Sequence, residues 1–147
     1  MRNVIIVGLF VASSFSTLVR SEDKSAIETM AYCIGVYQYD IESRKVGIWK
    51  SSKLAETSLK DLELRKYRGQ AELQQVIRRK IIEYAVAAKI TEEGYENAKM
   101  CSQMEKCTLE ATKRVENKVD QAMNDKMTKE CHKQFESVCE RAYKNCD

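Results

Sequence analysis

Proline is absent from the 147 residues, glycine occurs only five times, and there is a single histidine and a single tryptophan. Without proline nothing forces a kink or an edge strand, and a composition rich in Lys, Glu, Ala, Gln and Met favours helix. One histidine, His132, leaves little room for Ser-His-Asp or Cys-His catalysis, which also needs a free nucleophile beside it. The adjacent Cys131 is one of six cysteines and is expected to be bonded. No CxxC or HxxxH spacing marks a zinc site, and no Asn-x-Ser/Thr sequon marks N-glycosylation. Cofactor and metal sites are therefore not expected, nor is an enzyme.

What is present begins with Met1-Arg2 and the apolar block Val4–Ala12, followed by small residues at Ser14, Ser16 and Ser21. A basic start, a short apolar run and a small-residue exit are the parts of an export leader. Residues 1–21 are read as a signal peptide and 22–147 as one domain, secreted, or periplasmic if the source is bacterial. No later stretch is apolar enough to span a membrane once the leader is gone.

The chain carries 25 basic and 22 acidic residues, a near balance that gives no argument for nucleic acid. The distribution is uneven. From Arg44 to Lys80 eleven basic residues face four acidic ones. Arg65, Lys66, Arg68, Arg78 and Lys80 are the candidate basic face, suited to an unknown protein or an anionic surface.

The fold class expected is all-α, a small disulfide-stapled bundle of about four to five helices ending in an antiparallel hairpin. Gly47, Gly69 and Gly94 read as punctuation between helices. A first helix is expected from Ser25, with Glu28 completing a capping box and Ile27, Met30, Ala31, Ile34 and Ile41 on one face. A turn at Val46–Trp49 follows, and then a helix capped at Ser51 or Ser52 and ending near Gly69. Leu73, Val76, Ile77, Ile81, Tyr84 and Ala88 make the cleanest stripe, and Ile82, Val86 and Ile90 add a second apolar face. Apolar nearly all round, residues 73–90 are expected to be the central helix, broken at Thr91 or at Glu92-Glu93-Gly94, with helix resuming from Tyr95. Spacings of three and four from Ala111 to Ala142 continue the helical pattern.

The six cysteines are Cys33, Cys101, Cys107, Cys131, Cys139 and Cys146. An even number in a short exported chain points to a disulfide framework. The last three share one helical face but are separated by more than ~10 Å of rise, beyond the ~7 Å that a bridge spans. Each must therefore pair with Cys33, Cys101 or Cys107. In a hairpin, Cys107–Cys131 and Cys101–Cys139 both centre the turn near residue 119 or 120, beside Asn117, leaving Cys33–Cys146. Asn124-Asp125 is the stronger local turn signal and would place the reversal elsewhere.

The Cys131-His132 pair resembles secreted phospholipases A2, but Lys133 follows and no glycine-rich loop is present, so nothing catalytic is carried over. Six cysteines in a helical exported chain are similar to insect odorant-binding proteins. Here five residues lie between Cys101 and Cys107 and six between Cys139 and Cys146, which is not that family's spacing. Two functions are expected from different classes. One is a non-enzymatic interaction protein or effector, venom-like, salivary or periplasmic. The other is a carrier of a small apolar ligand, favoured by a cavity lined with Ile34, Ile81 and Tyr84.

Overall fold

The structure is a computed structural model that describes residues 21–116, 121–143 and 146, leaving aside the side chains of 21–23, 112, 114–116 and 121. The expected leader lies outside these residues except for Ser21. Among the described residues four helices follow one another: α1 (Ser21–Lys45), α2 (Leu59–Arg78), α3 (Tyr84–Glu116) and α4 (Gln121–Tyr143). There is no strand among the described residues.

The central helix is α1, which corrects the expectation for residues 73–90. It packs on α2 and α3 along its length and meets the end of α4. Ala31, Ile34, Val36, Asp40 and Ile41 are all buried, a set that surrounds the helix rather than forming a stripe. Residues 73–90 instead belong to two helices. The chain leaves α2 at Arg79, turns through Lys80 at φ 57°, and enters α3 at Tyr84. No glycine or proline marks this break, which is why the apolar periodicity ran straight through it.

Both ends flanking α2 close in the same way. At the end of α1 the Ile48 N–H donates to the Ser43 carbonyl and Gly47 N–H to Arg44, with Gly47 at φ 69°. At the end of α2 Ile81 N–H donates to Val76 and Lys80 N–H to Ile77. Each is a Schellman motif with its pivotal residue in the left-handed region. Gly47 suits that role; Lys80 fills it against the preference of an L side chain.

Helix starts also differ from expectation. α1 already includes Ser21, the first described residue, so Ser25 lies inside the helix rather than at its cap. The cap of α2 is Ser58, whose hydroxyl accepts from the Asp61 N–H at 3.1 Å, rather than Ser51 or Ser52. Ser51 has another use. Its N–H donates to Asp40 (3.3 Å) and its hydroxyl accepts from Leu54 N–H (3.3 Å), folding the 46–58 connection onto α1. Arg44 completes that fixture. It pairs with Asp40 at 2.8 Å and donates to the carbonyls of Thr57 and Leu54.

Gly69 and Gly94 do not punctuate anything, since each sits inside a helix. A Cβ on Gly94 would collide with the Tyr32 carbonyl, and one on Gly35 with the Thr91 carbonyl, 2.7 Å from Tyr95 N. With Ala31 and Ala98 fully buried, these glycines let the α1 and α3 backbones touch. Thr91 Oγ1 donates to the Ala31 carbonyl at 3.0 Å, and Asn97 Nδ2 to the Tyr32 hydroxyl at 2.7 Å, sealing the crossing.

Disulfides join Cys33 to Cys146, Cys101 to Cys139 and Cys107 to Cys131, with Cα separations of 5.4, 5.3 and 6.3 Å. Loops of these lengths restrict the unfolded chain by about 5, 4 and 3.5 kcal/mol in the chain-entropy picture. Two of the bridges clamp α3 to α4, and the third ties α1 to the end of the chain. The turn expected near residues 119 and 120 lies outside the described residues. Asn124 and Asp125 are within α4, and Asn124 is buried, so no reversal occurs there.

Candidate functional site

α2 packs mainly on α1, whereas α1, α3 and α4 are joined by contacts and by disulfides. From the turn at 79–83 α2 and α3 descend adjoining faces of α1 with a gap between them. They leave a groove of about 650 Å³ between them. Its apolar surface comes from Ile34 on α1, Leu73 and Ile77 on α2 and Ala87 on α3. Polar groups ring it: Gln38, then Gln70 and Gln74 one turn apart on α2, then Glu92 and Glu96 one turn apart on α3.

Two tyrosines complete the walls. Tyr84, at the start of α3, is 74% exposed and free of ring contacts within the described residues. Tyr95 is held. Its hydroxyl donates to Glu42 at 2.9 Å, and its ring meets Tyr39 edge to face at 5.4 Å and 88°. The hydrogen bond to the Glu42 carboxylate pushes the Tyr95 hydroxyl above its ordinary ionisation range, so it remains a donor.

Of the three residues expected to line a cavity, Ile34 and Tyr84 do, while Ile81 stands outside the groove, 36% exposed. The glutamines and glutamates were missed, because a helical-face reading assigns such residues to solvated surface. The signal available was their i, i+4 spacing on two neighbouring helices.

The five candidate basic residues are not one cluster. Arg65 and Arg68 share a second furrow of about 900 Å³ between α1 and α2, beside Thr29, Tyr37 and Glu72. Lys66 lies 100° round the helix from Arg65 and is half-buried. Arg78 is exposed at the last turn of α2, and Lys80 is the left-handed residue just beyond it. Exposed Leu64 and Tyr67 stand on the outer side of the same helix.

Elsewhere the polar groups serve the fold. Burial raises the Asp40 carboxyl above the ordinary carboxylate range, against the lowering effect of Arg44. Desolvation likewise holds the Tyr143 hydroxyl far above its usual range. His132 is exposed, stacked on Phe135 and 4.0 Å from Glu136, and no cysteine among the described residues is a free thiol beside it. No group of three His, Cys, Asp or Glu among the described residues could hold a metal. None of the described helices is long and apolar enough to cross a membrane, and three disulfides fit an oxidising compartment. No protein-family model, curated protein or solved structure matches the chain.

Proposed function

We propose that the chain is an exported, non-enzymatic interaction protein of the effector kind, presenting α2 to an acidic surface on a partner protein. The observation that carries this reading is the isolation of α2. It is backed mainly by α1, and from Leu59 to Lys80 seven basic residues stand against three acidic ones. Leu64 and Tyr67 add exposed apolar area between those charges. An apolar centre with a cationic rim gives both affinity and electrostatic steering toward an acidic partner. The disulfides hold the remaining helices as a rigid platform, which lowers the entropy lost on binding.

The test places a photo-crosslinking residue at Tyr67 or, as a reference, at Lys113 on α3, in the fluid into which the protein is released. Crosslinks to one acidic protein from position 67 alone are expected. They should vanish when Arg65, Lys66, Arg68, Arg78 and Lys80 are all changed to Glu in a variant whose melting shows it folded. Equal crosslinking from both positions, or crosslinks that survive the charge reversal, would overturn the reading.

The groove supports a second reading, a carrier of a small apolar ligand. A volume near 650 Å³ is within the range of small-molecule sites.

A further inference from the structure

We infer that the α2–α3 groove selects an amphipathic organic ammonium ion, a small molecule with an apolar body and a protonated amine. This rests on the carrier reading and names its ligand class. In a chain with 25 basic residues, not one Lys, Arg or His lines this groove, while two glutamates do. The groove is therefore selective by sign as well as by shape.

The two carboxylates are placed where a cation would be stabilised. Glu92 and Glu96 lie at i, i+4 on α3, where like charges repel. Glu96 is partly compensated by Lys99 at 3.2 Å, an exposed pair, and Glu92 has no ion pair among the described residues. A bound ammonium between them relieves that repulsion.

Tyr95 supplies the next interaction. Its hydroxyl donates to Glu42, which leaves the ring richer in electrons, and the edge-on contact with Tyr39 keeps the ring from turning. A fixed, electron-rich ring lining the same groove as two carboxylates favours a cation over a neutral group of the same shape. The apolar body then lies along Ile34, Leu73 and Ile77, with Tyr84 free to fold over it. Gln38, Gln70 and Gln74 offer amide oxygens to the remaining N–H groups, and no cationic side chain lines the groove.

Three probes of equal chain length separate charge from shape: octylammonium, 1-octanol and octanoate, titrated into the full oxidised protein by calorimetry and by amide shifts in NMR. Octylammonium is expected to bind at least tenfold more tightly than octanol, and octanoate least. Shifts should centre on residues 34, 73, 77, 92 and 95. Both glutamates are exposed, so Glu92→Gln/Glu96→Gln should fold normally. It should bring octylammonium to within about twofold of octanol while octanol itself is unchanged. Arg65→Gln/Arg68→Gln, in the other furrow, should change neither. If octanol binds the groove as well as octylammonium, the ammonium proposal falls and the carrier reading stands. If none of the three binds at millimolar concentration, or shifts centre elsewhere, both fall.

Discussion

Adding one methyl group at each of three helical glycines should be costly at two of them and nearly neutral at the third. In an exposed helix Gly→Ala gains about 1 kcal/mol. At Gly94 that gain meets an obstacle made of backbone: the new Cβ would overlap the Tyr32 carbonyl oxygen and lie 2.9 Å from its carbon. Only separation of α1 from α3 relieves the overlap. Overpacking of this kind costs about 3 kcal/mol at its upper end, and losing the Thr91–Ala31 hydrogen bond about 1 more. The net expected destabilisation is about 3 kcal/mol, or a fall in Tm of roughly 10 °C for a domain of this size. Gly35→Ala should behave alike, since its Cβ would meet the backbone of Thr91 and Tyr95. The Gly35→Ala/Gly94→Ala double variant should lose less than the sum, because one separation accommodates both. At Gly69 the nearest atom is Ile34 Cγ1 at 3.1 Å, a side chain that can turn aside, so Gly69→Ala should stay within about 1 kcal/mol of the parent. Urea and thermal unfolding under non-reducing conditions measure all four. If Gly94→Ala is as stable as the parent, the α1–α3 backbone contact is refuted as the reason for these glycines.

The two Schellman motifs predict a pair of opposite signs. Lys80→Gly should stabilise by about 0.5–1 kcal/mol by relieving a left-handed L residue, and Gly47→Ala, with open space around it, should destabilise by about 1, both read from urea midpoints. Asp40→Ala should destabilise by about 3–5 kcal/mol by leaving Arg44 buried and unpaired, whereas Asp40→Leu/Arg44→Met should lose far less. Because burial raises the folded-state pKa of Asp40, the folded protein binds this proton more readily than the unfolded chain. Its stabilising contribution is therefore full below the unfolded value of 3.8 and is lost as pH rises through the folded value. The stability of the parent relative to Asp40→Asn should accordingly improve as pH falls from 6 toward 4 in parallel urea titrations.

Much of the architecture was readable because its causes are local or covalent. Absence of proline and the recurring three- and four-residue spacings are enough for an all-helical chain, and fixed helical rise restricts which cysteines can meet. Helix order failed where one residue carries the information. Lys80 adopts a conformation that its side chain disfavours, held by hydrogen bonds from Lys80 and Ile81 back into α2. No propensity scale registers a residue chosen against its preference. The glycines misled for the complementary reason. A glycine signals that a side chain is unwelcome, but sequence does not say whether the intruder is a turn or a neighbouring helix. At Gly47 it is the turn; at Gly35 and Gly94 it is the backbone across the crossing.

The same distinction governs the candidate site. Residues 73–90 read as one helix, apolar nearly all round, and its division at 79–83 is what turns part of that surface outward. Ile82 and Ala87 are buried against α1, while Ile77 and Ala87 also border a groove. The break converts one continuous helix into two walls, and those walls carry Gln70 and Gln74 opposite Glu92 and Glu96. Residues that would otherwise be unremarkable solvated positions on a single rod therefore face one another across a shared floor. A chain in which Lys80 favoured continued helix would have no groove, so whatever this site binds depends on a turn that the sequence does not announce.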